Sequence, residues 1–227
     1  MESSVSTIDR AQLHLSIIPS ATQKAFLEFI KLGWLRRSRW YLAGGTALAL
    51  QVGHRQSVDL DFFSPVKTFR SLELERALQG TGHWQTSYQE AGTIYGSFWK
   101  AKVSFIAYPF FIPTARRLRC GSVKMLLPED IAVMKIIAIS QRGRKRDFYD
   151  LFWYCTNREP LGGVIERAIT QYPGQQENIT HILKSLVYFA DAESDPQPQL
   201  LFSASWRAVK DFFRKEAVAA GKKLLRW

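Results

Sequence analysis

Two kinds of hydrophobic pattern divide this chain of 227 residues. Alternation of apolar and polar residues, the period of a β-strand, is concentrated before residue 128. Helical spacing dominates after Pro128, a residue that suits the first turn of a helix. This separation predicts an α+β fold, in which a mixed β-sheet with flanking helices precedes a helical C-terminal region. We predict a core with an N-terminal helix over residues 1–158 and a helical region over residues 159–227.

The strand predicted at residues 57–63 (SVDLDFF) carries two acids one residue apart. Because residues i and i+2 share one face of a strand, Asp59 and Asp61 should stand side by side. Val58, Leu60 and Phe62 should then face the core. Two carboxylates at roughly 4–6 Å repel each other by about 3 kcal/mol at an effective dielectric of about 20. A magnesium ion would remove that cost and usually also holds a substrate phosphate, so the pair predicts a metal site, with a solvated strand face as the alternative.

A Gly44-Gly45-Thr46 turn lies between a short apolar strand at residues 40–43 and a helix at residues 46–51. Two glycines let backbone N–H groups approach an anion closely, and the helix N-terminus adds partial positive charge. Such turns are mostly structural when they stand alone. Here the next strand along the chain carries the acid pair, so the combination suits a metal–nucleoside triphosphate.

The helix that starts at Pro128 places Lys135 on its apolar stripe, where a lysine needs a partner. The next helix follows a basic run ending at Arg146 and carries Asp147 and Asp150 on a common polar face. Lys135 is either a phosphate-binding cation or a lysine of a core salt bridge. The acids are either active-site groups or helix-capping and surface-pairing residues.

The chain is strongly basic, with a net charge of +11. Residues 114–146 contain nine Lys and Arg against two acids, and residues 196–227 contain seven against two. Such a surface favours RNA or DNA as a partner, although solubility alone could also explain it. No stretch approaches the roughly 20 apolar residues of a membrane span, and no secretory signal is evident. With only Cys120 and Cys155 as cysteines, we expect a cytoplasmic protein without a membrane partner.

Two segments of this chain resemble motifs of the AbiEii/AbiGii toxin family of nucleotidyltransferases. Residues 41–50 (YLAGGTALAL), with the following HRxSxDLDFF at residues 54–63, are similar to its first motif. The segment from Lys135 to Leu151, with Arg146-Asp147 and Asp150, is similar to its later lysine-and-RD motif. The resemblance extends from about residue 20 to 215.

This resemblance implies a DNA-polymerase-β-like nucleotidyltransferase core that uses a nucleoside triphosphate and magnesium, with manganese as an alternative. The metal ligands would be Asp59 and Asp61. The implied catalytic residues are Asp59, Asp61, Lys135, Asp147 and Asp150. The implied triphosphate-binding residues are Gly44, Gly45, Thr46, Arg55, Ser57 and Arg146. Asp147 would be either a base or the structural partner of Lys135. The family also implies toxicity restrained by an antitoxin protein, and some relatives act on the 3′ end of tRNA.

One position departs from the family pattern. Such cores often place a third carboxylate on a later strand, where this chain has Ser104. A serine cannot act as the base, so Asp147 or Asp150 supplies the third acid, or activity is weak or lost. The prediction is a magnesium-dependent nucleotidyltransferase toxin that acts on an acceptor hydroxyl, at the 3′ end of tRNA or another RNA, with a protein hydroxyl as the alternative acceptor. The alternatives are a catalytically silent triphosphate-binding regulator and a basic nucleic-acid-binding protein without catalysis.

Overall fold

The computed structural model describes residues 5–113, 116–174 and 179–224. The chain forms two compact units, Met1–Leu127 and Pro128–Trp227. The first contains all the described strands, and the second is helical. This confirms the predicted class of a mixed sheet with helices and a helical C-terminal region. The functional boundary between residues 158 and 159 stays a prediction.

Within the described part of the first unit, eight strands form one mixed sheet. They are β1 (Val5–Thr7), β2 (Tyr41–Ala43), β3 (Leu60–Ser64), β4 (Trp84–Glu90), β5 (Thr93–Phe98), β6 (Ala101–Ala107), β7 (Arg117–Cys120) and β8 (Val123–Leu126). Their order is β1-β7-β8-β2-β3-β6-β5-β4. β3 lies between antiparallel β2 and parallel β6, so both of its edges are hydrogen bonded.

The helices of the first unit pack aromatic and aliphatic residues against this sheet. They are α1 (Ser20–Phe29), α2 (Gly33–Arg37), α3 (Gly44–Val52) and α4 (Ser71–Gln79), with 3₁₀ turns at Arg10–Gln12 and Leu15–Ile17. Phe62 and Phe105 stack on neighbouring strands at 4.9 Å between ring centroids, and Phe29 of α1 lies 4.9 Å from Phe62. Leu60 and Phe62 are buried as expected, but Val58 is exposed because β3 begins only at Leu60. The prediction for Val58 is wrong.

The second unit has its own aromatic core. Its described helices are α5 (Pro128–Arg142), α6 (Lys145–Asn157), α7 (Leu161–Gln171), α8 (Ile179–Ser185), α9 (Ala190–Glu193) and α10 (Trp206–Leu224). Phe148 of α6 contacts Phe189, Trp206 and Phe213, with ring centroids 5.3, 5.7 and 5.3 Å away. Residues 175–178, inside the helical region predicted at 159–227, lie outside the described residues. None of the described helices is long and apolar enough to span a bilayer.

Candidate active site

The predicted phosphate turn forms where β2 ends and α3 begins. Gly44 has a φ of +74°, the left-handed region that favours glycine. Because the register pairs Ala43 with Asp61, a Cβ on Gly44 would lie 3.1 Å from Oδ2 of Asp61. A Cβ on Gly45 would collide with the guanidinium of Arg55. Both glycines therefore permit a close approach, one to a carboxylate and the other to a buried cation.

The segment at residues 55–57 is attached to the start of α3. Thr46 donates its hydroxyl to Oγ of Ser57 at 2.8 Å. Arg55 is buried, and its Nη1 donates to the backbone carbonyl of Gln56 at 2.8 Å. At this end of α3 the backbone N–H groups and the helix dipole favour an anion. The fold thus brings together five of the predicted binding residues: Gly44, Gly45, Thr46, Arg55 and Ser57.

Asp59 and Asp61 line the same cavity, whose volume is about 490 Å³. Asp61 lies on β3, and Asp59 directly precedes the first residue of that strand. Both side chains are half-buried. The rest of the cavity lining comes from β4, β5 and β6, which contribute Tyr95 and Lys102 among other residues. The two predicted acids are therefore brought together, and their role as metal ligands stays a prediction.

Ser104 occupies the position beside Asp61 where the family pattern suggested a third acid. The two residues are direct partners in the register of β3 against β6. The Ser104 hydroxyl donates to Oδ1 of Asp61 at 2.7 Å. A serine hydroxyl here can orient the carboxylate, but it cannot accept a proton at neutral pH.

The donor atoms of this cavity suit a hard divalent cation whose coordination a substrate completes. Among the residues that the structure describes, no three or more His, Cys, Asp or Glu side chains are grouped as a metal site. Magnesium commonly takes only one or two protein carboxylates and fills its other positions with water and substrate phosphates. Asp59 and Asp61, next to a phosphate-type turn, fit that arrangement.

The second unit contains a buried ion cluster that joins α5 to α6. Lys135 is 5% exposed, and its Nζ lies 2.5 Å from Oδ1 of Asp147 and 2.6 Å from Oδ2 of Asp150. Both carboxylates are fully buried. Nε of Arg142 lies 3.2 Å from the other oxygen of Asp147. The lysine on the apolar stripe therefore has partners, and the two acids are not surface groups.

These contacts also determine the ionisation of Asp147. Burial alone would raise the pKa of this carboxyl, but the Lys135 ammonium and the Arg142 guanidinium outweigh it and hold the pKa below its ordinary value. Asp147 is thus a charged group with ion pairs on both oxygens. Of the two roles that the sequence leaves open for Asp147, this geometry favours the partner of Lys135 over the base.

Of three further basic residues, only Arg146 was predicted as a site residue. Arg146 is exposed on α6. Lys145, which the sequence analysis did not single out, is buried and its Nζ donates to the carbonyls of Glu193 and Asp195, a structural role. Lys102 was also missed, although its position two residues before Ser104 on one strand could have indicated the cavity face.

Known proteins share both sequence and fold with this chain. The family model described as "Nucleotidyl transferase AbiEii toxin, Type IV TA system" matches residues 35–95 and 111–220. An uncharacterized protein of Aquifex aeolicus is 32% identical over 179 residues, which are 78% of this chain and 85% of the relative. The matched residues include the glycine turn, the acid pair and the lysine-and-RD motif.

Solved structures resemble the fold at low sequence identity. MenT4, a nucleotidyltransferase toxin of Mycobacterium tuberculosis, is 14% identical with a TM-score of 0.56, over 89% of this chain and 85% of that chain. A putative nucleotidyltransferase of Helicobacter pylori is 14% identical with a TM-score of 0.51, over 92% and 98%. These likenesses establish a nucleotidyltransferase fold. Because the family model covers more than half of the sequence as well, the resemblance is confirmed, and the chain belongs to the AbiEii family of nucleotidyltransferase toxins.

Proposed function

We propose that this nucleotidyltransferase toxin depends on magnesium and transfers a nucleotide from a nucleoside triphosphate to the 3′ end of an RNA, with tRNA as the first candidate. The observation that carries the proposal is the placement of Asp59 and Asp61 in one cavity, with Gly44 in close approach to Asp61. The net charge of +11 supports an RNA acceptor.

The turn has the chemistry of a triphosphate site. Backbone N–H groups at Gly44 and Gly45, the N-terminus of α3 and the nearby Arg55 guanidinium together offset phosphate charge. Charge on the departing pyrophosphate increases during the reaction, so these donors stabilise the leaving group. Asp59 and Asp61 would hold the cation, which when bound polarises the phosphate oxygens as a Lewis acid.

The transfer itself forms a bond between the acceptor oxygen and the α-phosphorus. The bond from that phosphorus to the oxygen bridging to the β-phosphate breaks, and pyrophosphate leaves. Ser104 keeps Asp61 oriented through its hydrogen bond. Because Ser104 cannot accept the hydroxyl proton and Asp147 is held in ion pairs, we assign that proton to water in the cavity. The predicted roles of Lys135 and Arg146 in phosphate binding, and of Asp150 as the third acid, stay predictions.

A labelling assay tests the reaction. Purified protein is incubated with magnesium, total RNA and each of the four α-labelled triphosphates in turn. We expect one triphosphate to label RNA, and Asp59→Asn or Asp61→Asn to lower the rate about 100-fold or more. Glu73→Gln, an exposed carboxylate of the same unit, is the matched control and should keep full activity. Equal labelling by wild type and by both cavity variants would refute the site.

Toxicity provides a second readout in cells. We expect expression of the wild-type chain to stop growth and expression of Asp61→Asn to permit it. A small protein encoded beside this chain should restore growth if it is the antitoxin. Growth arrest by Asp61→Asn as strong as by wild type would separate toxicity from nucleotide transfer and contradict the proposal.

A further inference from the structure

We propose that Tyr95 and Tyr88 form a stacking platform for the terminal base of the RNA acceptor. This inference rests on the proposed function, since it names how the acceptor of that reaction is recognised. It assigns a task to the part of the cavity formed by β4, β5 and β6, which the metal and phosphate chemistry leaves unused.

The first support is a single row of cross-strand partners. From the edge of the sheet inward, the register pairs Tyr88 with Tyr95, Tyr95 with Ser104, and Ser104 with Asp61. Direct partners lie on the same face of a sheet, with strands about 4.8 Å apart. Tyr95 is two strands from Asp61, at about 10 Å, which is the scale of a single nucleotide. Tyr95 also lines the cavity that contains both acids.

The second support is the exposure of the two rings. Tyr88 and Tyr95 stack at 5.7 Å between centroids, yet they remain 47% and 41% exposed. The hydroxyl of Tyr88 donates to Oε2 of Glu90, which orients this ring. Sheet stabilisation alone explains the stacking of the pair, but it does not explain why both rings stay exposed while one of them, Tyr95, lines the cavity that contains the two acids. Aromatic faces in such positions bind unpaired bases.

The third support is the direction of the reaction. The acceptor oxygen and the departing pyrophosphate lie on opposite sides of the α-phosphorus. The glycine turn continues from Ala43, the partner of Asp61 on β2, whereas the tyrosines follow on the other side of Asp61, across β6. With the departing phosphates at the turn, the acceptor approaches from the tyrosine side. Lys102, exposed on this side of the cavity, is placed to bind an acceptor phosphate.

The test compares two acceptors that differ in a single base. One is a short single-stranded RNA with a 3′-terminal nucleoside, and the other is the same RNA with an abasic 3′-terminal ribose that keeps both hydroxyls. We expect kcat/KM of wild type to favour the complete acceptor by about 10- to 100-fold, the range that stacking of one base provides. Tyr95→Ser should lose this preference without change in the triphosphate KM, and Tyr95→Phe should keep it.

Matched variants and a binding arm make each outcome decisive. Tyr188→Ser removes a similarly exposed tyrosine of the other unit and should change nothing. Tyr88→Ser should weaken the preference partly, and it serves if Tyr95→Ser does not fold. Retention of the preference in Tyr95→Ser overturns the platform, as does a rise in the triphosphate KM alone or an equal loss in Tyr95→Phe.

Anisotropy with both labelled oligonucleotides, without triphosphate, separates the two proposals. Base-dependent binding that needs Tyr95 but leads to no transfer refutes the transferase and keeps the platform, whereas absence of base preference in both assays refutes the platform.

Discussion

Gly44 and Gly82 have the same φ of +74°, but their surroundings differ. A Cβ on Gly82 would meet no atom within 4 Å, whereas one on Gly44 would crowd Asp61. Alanine at either position should cost about 1–2 kcal/mol from the left-handed backbone. We expect Gly44→Ala and Gly82→Ala to lower the melting temperature by similar amounts, and only Gly44→Ala to lower kcat/KM, by at least about 10-fold. Equal kcat/KM in the two variants would show that the close approach of Gly44 to Asp61 is not needed for activity.

The charge on Asp147 makes stability depend on pH. Its pKa is lower in the folded protein than the value of about 3.9 expected in the unfolded chain. A depressed pKa contributes stability that is fully present above the unfolded value and is lost as the pH falls through the folded one. The wild-type free energy of unfolding should therefore decrease below about pH 4.

Removing this charge should abolish that contribution. Asp147→Asn leaves Lys135 with a single carboxylate partner and removes the ion pair between Arg142 and Asp147. We therefore expect the free energy of unfolding to fall by about 3–5 kcal/mol at neutral pH, and by less towards acid pH. Urea denaturation at several pH values measures it. Asp211→Asn is the control. The side chains of Asp211 and Arg214 are each 57% exposed, so their ion pair is worth less than about 1 kcal/mol. A loss for Asp147→Asn that is equally small would mean that the cluster does not stabilise the fold.

At the scale of elements, the sequence predicted the features that a regular spacing of apolar residues reveals within a single segment. The alternation in residues 57–63 located β3, and the apolar stripe of α5 identified Lys135 as a residue in need of a partner. β1 and β7 were missed because strands of three and four residues are too short for an alternating pattern to stand out from the neighbouring sequence. The row that joins Asp61 to Tyr88 depends on registers between distant strands, which no single segment encodes.

The pairing of β3 with β6 yields a prediction about the metal. Ser104→Asp would place a carboxylate directly opposite Asp61, and like charges in that position repel. Without divalent ions this variant should melt at a lower temperature than wild type. Magnesium should raise its melting temperature more than that of wild type, because a third acid strengthens a hard-cation site.

A second substitution in the same cavity controls for added charge. Ser97 also lines the cavity, but its cross-strand partner is Lys102. Ser97→Asp should therefore lose less stability, and its response to magnesium should match that of wild type. Thermal unfolding with magnesium or EDTA measures both variants. If magnesium stabilises Ser104→Asp no more than Ser97→Asp, the acid pair is not the cation site.

At the scale of the whole molecule, the acid pair belongs to a strongly basic unit. Residues 1–127 contain 16 Lys and Arg against 8 Asp and Glu, so a local acidic site lies within a unit of positive charge. The two features have separate tasks in the proposed reaction. The acids act on one cation and its phosphates, whereas the distributed positive charge attracts a long polyanion and is sensitive to salt.

That separation predicts how salt affects each substrate. If the protein neutralises about four phosphates of a single-stranded acceptor, its affinity should fall about 50-fold between 50 and 200 mM salt. We expect the KM for RNA to rise accordingly and the KM for the triphosphate to change much less, since that ligand is held mainly at one turn. Asp59→Asn should lower the transfer rate about 100-fold or more while RNA binding keeps the same salt slope, because the acids are not part of the basic surface. A salt-independent KM for RNA would mean that the acceptor does not bind through its phosphates, and a protein hydroxyl would then become the better candidate.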